Sequence, residues 1–198
     1  GDVRQVRTAI RGIGGPRFMP DGRAVVVRGV DETKHGSLGL HRIDLKTGET
    51  ELLVAVGGPS HRPEISPDGT KLYYRRFLPK NEMAFLERDL RTGAERALVQ
   101  RRGLGMPFLS PDGRYLATGS RDAVSRSRAA LLIPTIGGSP VEALQTAETD
   151  QVSILMWAPD SQSFFVRKVS NGKPEVWQVP VNGSPHRTGL DVSAITGP

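Results

Sequence analysis

The sequence predicts an all-β fold made of repeated four-stranded antiparallel sheets. Two observations carry that prediction. A turn motif, Pro-x-apolar-x-Pro-Asp-Gly, appears four times at nearly constant spacing, the fourth copy with Leu155 and Ser161 at its ends. Each copy is followed by the same succession of short apolar segments and a second turn.

The third copy shows the motif best: Pro107-Phe108-Leu109-Ser110-Pro111-Asp112-Gly113. Pro111 pre-sets φ, Asp112 can hydrogen-bond nearby backbone, and Gly113 supplies a positive φ without steric cost. The other copies end in Met19-Pro20-Asp21-Gly22, Ser66-Pro67-Asp68-Gly69 and Ala158-Pro159-Asp160-Ser161. The four aspartates are separated by 47, 44 and 48 residues. A fixed period of this size marks a repeat architecture.

Within each repeat the elements follow in order. Strand a precedes the Pro-Asp turn. Strand b follows it and places a large apolar residue three positions after the turn: Val25, Leu72, Leu116 and Phe164. Strand c ends in a second turn, Asp44-Leu45-Lys46-Thr47-Gly48 and Asp89-Leu90-Arg91-Thr92-Gly93 in the first two copies, with looser versions at Ile136-Gly137 and Asn182-Gly183. Strand d closes the unit: Glu51 to Val54, Arg96 to Val99, Val141 to Leu144 and, more weakly, His186 to Leu190. Four-stranded antiparallel sheets at this spacing are the blades of a β-propeller. The expected blades cover residues 11–56, 57–100, 101–147 and 148–190. Residues 1–10 are expected to form an orphan outer strand d, and 191–198 a tail. Four blades and one orphan strand suggest an incomplete or open propeller, able to self-associate through its open blade edges.

The Pro-x-apolar-Ser-Pro-Asp-Gly pattern with a downstream Asp-Leu-x-Thr-Gly turn resembles TolB-type (PD40) propeller repeats over residues 11 to about 190. It does not resemble the WD type, because neither Trp157 nor Trp177 precedes Asp. The resemblance implies a bacterial, periplasmic or otherwise extracytoplasmic setting, and the chain is read as a binding module for a protein, peptide or small ligand, with a protein or peptide partner expected. Propellers of this kind also occur in prolyl-oligopeptidase-like hydrolases and as modules of bacterial kinases and regulators. One superfold hosts many activities, so fold alone does not choose among these.

Composition narrows the class. The chain has 198 residues, of which 37% are hydrophobic, and carries 23 Gly and 15 Pro, which suits a turn-rich β protein. No apolar run approaches membrane-spanning length. The absence of cysteine excludes disulfides and thiolate chemistry. A net charge of +6 comes from arginines spread along the whole chain. Nucleic-acid binders focus their charge on one face, so no nucleic-acid partner is expected.

Candidate chemistry is sparse. Asp21, Asp68, Asp112 and Asp160, with Gly22, Gly69 and Gly113, are read as turn residues; lying one per blade, the aspartates do not converge as metal ligands must. His35, His41, His61 and His186 lack metal-ligand spacing. No Gly-x-Ser-x-Gly elbow occurs. Gly12 to Gly15 leads into a strand, so a phosphate loop would lack its helix. No cofactor, metal or catalytic residue is therefore expected, and the chain is read as non-enzymatic.

The topology sorts the loops. Both turn motifs fall at one end of the blades and repeat in sequence, as a structural part should. The b–c and d–a loops fall at the other end and vary. Recognition belongs on variable loops held by a rigid scaffold. The candidate ligand-binding residues are Asp31, Lys34 and His35 of the first b–c loop, and Arg121, Arg126 and Arg128 of the third. Arginine forks bind carboxylate or phosphate bidentately. Trp157 shares its repeat position with Phe18, Ile65 and Leu109, and all four are expected in the core.

Overall fold

The computed structural model describes residues 5–33, 36, 38–55, 62–122 and 126–190. Four four-stranded antiparallel sheets account for nearly all of its regular structure. The first contains β1 (Ile10–Phe18), β2 (Ala24–Asp31), β3 (Leu38–Asp44) and β4 (Thr50–Ala55). The second contains β5 (Glu64–Ile65), β6 (Lys71–Leu78), β7 (Glu82–Asp89) and β8 (Glu95–Arg102), with a single 3-10 turn at Pro79–Asn81. The third contains β9 (Phe108–Leu109), β10 (Tyr115–Arg121), β11 (Arg128–Pro134) and β12 (Val141–Thr146). The fourth contains β13 (Gln151–Trp157), β14 (Ser163–Ser170), β15 (Lys173–Pro180) and β16 (His186–Arg187). Strands pair in chain order within every sheet, the a-b-c-d arrangement of a propeller blade. The fold class is a β-propeller of four-stranded blades.

The repeated turn explains the repeated sheet. In each copy the residue after the aspartate donates its N–H back to the residue before the proline: Gly22 to Met19, Gly69 to Ser66, Gly113 to Ser110 and Ser161 to Ala158, at 2.8–3.0 Å. That is a type I turn with proline at its favoured second position and a positive-φ residue at its fourth. Each aspartate then accepts from the backbone N–H two residues on, in Arg23, Thr70, Arg114 and Gln162. Ser66 and Ser110 add a hydroxyl that donates to the aspartate and accepts from the first residue of strand b. Met19 and Ala158 replace that serine and are buried instead.

The second turn is locked to the first. Leu45, Leu90, Thr135 and Val181 each donate to the carbonyl just past the Pro-Asp turn, in Arg23, Thr70, Arg114 and Gln162, at 2.8–2.9 Å. Asp44 and Asp89 cap their own turns by accepting from Lys46 and Thr47, and from Arg91 and Thr92. Within each blade the two turns are thus joined by a backbone hydrogen bond.

The chain divides into two compact units, one of residues 1–80 with 84–97, the other of 81–83 with 98–198. In the first unit, Val26, Leu40 and Val54 of the first blade pack against Leu72, Tyr74 and Ala84 of the second. Val25, Val27 and Ile43 bury the blade's other face under Val6 and Leu45. Both faces of β2 are covered, so Ala24 to Val27 need not alternate. In the second unit, Ala117, Ala130, Leu132 and Leu144 of the third blade pack on Ile154, Trp157, Phe164 and Val166 of the fourth.

Trp157 is a core residue. It is buried, its Nε1 donates to the Phe108 carbonyl at 2.8 Å, and its ring meets Phe164 at 5.1 Å. The shared-core expectation fails elsewhere. Ile65 and Leu109 are half-buried and Phe18 is 69% exposed. The position faces the preceding blade: Trp157 reaches the third blade, and Ile65 packs on the cluster containing Met19 of the first. Among the described residues no blade precedes Phe18.

The orphan strand is also corrected. Gln5 to Ala9 form no strand, and Ile10 opens β1. Val6 instead covers apolar residues of the first blade, and Arg7 passes so close to Gly48 that a side chain there would strike its carbonyl. The proximity fixes a glycine that already needs φ of 78°.

Ser161 breaks the glycine rule for a visible reason. Its φ is 61°, and its buried hydroxyl accepts from the Asp112 N–H at 3.0 Å, tying the fourth blade's turn to the third's. Ser161→Ala keeps the strain and loses the bond, so it should destabilise by about 1–2 kcal/mol. Ser161→Gly trades one for the other and should lie within about 0.5 kcal/mol of wild type. Urea unfolding of both variants checks the pair.

The turn carboxylates also set the acid response. The Ser66 hydroxyl and Thr70 hold Asp68 below its ordinary pKa. At Asp112, burial pushes upward, but bonds from Ser110 and Arg114 outweigh it and leave the pKa lowered. Backbone bonds from Thr47 and Lys46 lower Asp44. Groups depressed in the folded state contribute stability that is present above their unfolded value, near 3.8, and lost as pH falls through the folded values. The urea midpoint should fall below about pH 4. Asp68→Asn should lower the midpoint at neutral pH and make that fall shallower.

Candidate functional site

The b–c and d–a loops lie at the end of each blade opposite the two turn rows. In the second unit this end opens into a cleft of about 420 Å³. The d–a segment Gly103 to Phe108, the end of β10, the start of β11 and the start of β13 line it. Its apolar wall is Leu104, Met106, Phe108, Val152 and Ile154, and its polar groups include Arg121 and Arg128.

The strand register brings those two arginines together. Arg121 and Arg128 are directly opposed in the β10–β11 pair, at its open end. Opposed residues project to the same face of a sheet. The face is that of Gly119, which lies next to the Val152 backbone of the fourth blade. Both side chains thus leave the sheet on the side of the cleft, which both residues line.

Gly119 is itself informative. Seven residues past the turn aspartate, the other three blades carry Arg28, Arg75 and Arg167, and only the third carries glycine. The period was available in the sequence, but alignment on apolar residues passes over it. Arg75 is buried and stacks on Phe77, with 4.9 Å from guanidinium to ring centre. At this position the third blade lets the Val152 backbone of the fourth come close, and Gly119 and Arg128 both line the cleft.

Most other cations near a carboxylate are matched. Lys71 pairs with Asp89, Arg96 with Glu87, Arg76 and Arg88 with Glu95, and Arg17 and Arg62 with Glu64. Tyr74 donates to Glu95 at 2.6 Å within this network, and its phenol is pushed up by burial and by that carboxylate. Around the cleft, Asp122 faces Arg101 and Glu148 faces Arg126. Among the described residues no acidic residue lines the cleft itself. Arg128 is half-buried, and its Nε is sealed from solvent without a hydrogen-bond partner. Arg121 is exposed, and among the described residues neither arginine has an ion-pair partner.

The remaining candidates separate from this pair. Asp31 is buried; its carboxylate accepts from the Thr33 N–H and hydroxyl at 2.9 and 2.6 Å and from the Thr50 hydroxyl, so it shapes its own loop. Arg126 adopts φ of 56° and pairs with Glu148 at 3.3 Å. Lys34 and His35 lie outside the described residues. Asp21, Asp68, Asp112 and Asp160 are the turn groups described above. Among the described residues no three His, Asp or Glu side chains gather as metal ligands would, and no helix is long and apolar enough to cross a membrane.

An unpaired, half-buried cation is destabilising. Arg128→Met keeps the apolar stem and removes the charge, so it should raise stability by about 1 kcal/mol. The same change at the ion-paired Arg96 should lower it. Thermal unfolding of the two variants gives the comparison.

No family model matches the chain, and no curated protein sequence does. Solved structures do. TolB from Acinetobacter baumannii is 18% identical, with 88% of this chain and 43% of that one aligned at a TM-score of 0.70. An oligogalacturonate lyase from Vibrio parahaemolyticus is 17% identical over 87% of this chain and 52% of that one, TM-score 0.69. The β-propeller domain of the Trilobed protease from Pyrococcus furiosus is 14% identical over 91% and 58%, TM-score 0.66. The chain spans about half the length of these structures. At such identities the likeness is one of architecture, and it agrees with the Pro-Asp-Gly repeat and the a-b-c-d sheets: the chain has a TolB-like β-propeller fold.

Proposed function

We propose that the chain is a non-enzymatic binding module that recognises a protein or peptide with its b–c and d–a loop face. The observation that supports this reading is the cleft at that end of the second unit, apolar along its wall and carrying two arginines that have no ion-pair partner among the described residues. The opposite end is used up by backbone hydrogen bonds repeated in every blade. A periplasmic or extracytoplasmic bacterial setting goes with this reading through the resemblance to TolB repeats.

A second reading has its own support. The propeller also resembles an acylaminoacyl peptidase from Pyrococcus horikoshii, 16% identical, where the match spans 32% of that chain. On this reading the blades gate a catalytic domain of a larger hydrolase. The sequence given contains no nucleophile elbow, so the module itself should turn over no chromogenic ester or peptide substrate.

Hydrogen exchange tests the proposal. Peptides selected from a displayed library against the purified chain should protect amides of the third b–c loop and of Gly103 to Met106. Protection confined to the Pro-Asp-Gly end would reverse the assigned polarity. Failure of any library to yield a binder that protects the loop end would overturn the binding reading.

A further inference from the structure

We propose, resting on the binding-module reading, that the cleft of the second unit takes the free C-terminal end of a peptide whose last residue is apolar. The terminal carboxylate meets Arg121 and Arg128, and the last side chain lies along Leu104, Met106 and Val152.

Four features converge on that chemistry. First, the charge is uncompensated. Arg121 and Arg128 are opposed on one face, and among the described residues neither has an ion-pair partner and no carboxylate lines the cleft. The nearby acids face other cations, Asp122 with Arg101 and Glu148 with Arg126. The two charges are thus open to an anionic ligand. Second, Arg128 is held with its Nε sealed from water. Arg128 lines the cleft, and a guanidinium offers a planar fork of N–H donors that suits a carboxylate.

Third, the rest of the wall is apolar. Leu104 is fully buried, and Met106, Phe108, Val152 and Ile154 adjoin it. A phosphate or an acidic side chain would satisfy the arginines and leave this wall wet. An apolar chain terminus carries its carboxylate and its side chain on the same carbon, so it fills both halves at once. Fourth, the size is small. At about 420 Å³ the cleft sits at the low end of ligand pockets, which run from about 300 to 1,000 Å³. That suits a chain end rather than an element of a folded partner. Capture of terminal carboxylates is a recurring mode of peptide recognition.

The test uses the full chain and a synthetic pool of octapeptides randomised at the last four positions, made once as free acids and once as C-terminal amides. Retained peptides are identified by mass spectrometry, and individual affinities follow by calorimetry. The acid pool should be enriched in Leu, Ile, Met, Val or Phe at the last position. The amide of each selected sequence should bind at least tenfold more weakly. Arg128→Gln and Arg121→Gln should each weaken the acid at least fivefold and leave the residual affinity of the amide unchanged. Because Arg128→Gln removes an unpaired charge, loss of folding does not explain a loss of binding, and circular dichroism of the variant checks this.

Equal retention of acids and amides, with the loop end protected, would overturn the terminal-carboxylate proposal while leaving the binding module standing. Selection of acidic last residues without apolar preference would overturn it as well. No retention from either pool would also overturn it, whereas the displayed library of internal sequences judges the broader reading separately.

Discussion

Everything in the fold depends on one small hydrogen-bonded device, an aspartate that accepts the backbone N–H two residues ahead of it. It fixes the a–b turn, and the turn fixes which residues of strand b face which neighbour. The carbonyl just beyond it receives the N–H that starts the c–d turn. A slip of one residue here would turn every apolar side chain of strand b to the wrong face. The device is exposed and inexpensive in apolar area, yet it sets the register in which the apolar area is buried. The serine hydroxyl in the second and third blades strengthens it, and the buried Met19 and Ala158 do without.

The charge distribution follows a division of labour. The second blade spends its cations on its own acids in a dense network from Lys71 to Arg96. The third blade pairs Arg114 and Arg126 with acids, but among the described residues it leaves Arg121 and Arg128 without one. Its strand b carries Ala117, Thr118 and Gly119 where the second has Tyr73, Tyr74 and Arg75. Of these three, Gly119 lines the cleft. The arginines at its mouth are thus a local feature of one repeat and owe nothing to the bulk charge of the chain.

Much of this was legible in the sequence because it repeats. Four Pro-Asp turns at steps of 44 to 48 residues announce four sheets, and the buried Val25, Leu72, Leu116 and Phe164 sit where the period puts them. Legibility ended where a residue's surroundings lie outside its own repeat. Phe18 has the same local pattern as Trp157, yet one is exposed and the other buried, because the difference lies in the neighbouring blade. Val3, Val6 and Ile10 suggest a strand, but Val6 serves as a cover and Ile10 belongs to the next element. The site was half legible. Arg121 and Arg128 follow from the basic loop, whereas Asp31 and Arg126 are the same residue types engaged locally. Gly119 was hidden, since its meaning is visible only against the arginines of its siblings.

That glycine has a consequence for how such a module diversifies. In a repeat fold each interface is built several times over, so one copy can give up a side chain without endangering the rest. Where the other blades carry Arg28, Arg75 and Arg167, the third carries Gly119, and the Val152 backbone of the fourth blade comes close enough to crowd a Cβ there. A side chain restored at that position would have to push the backbone back and would reshape the cleft that Gly119 lines. New binding surfaces would then arise in this architecture by subtraction, one position at a time, with the turns that hold register untouched.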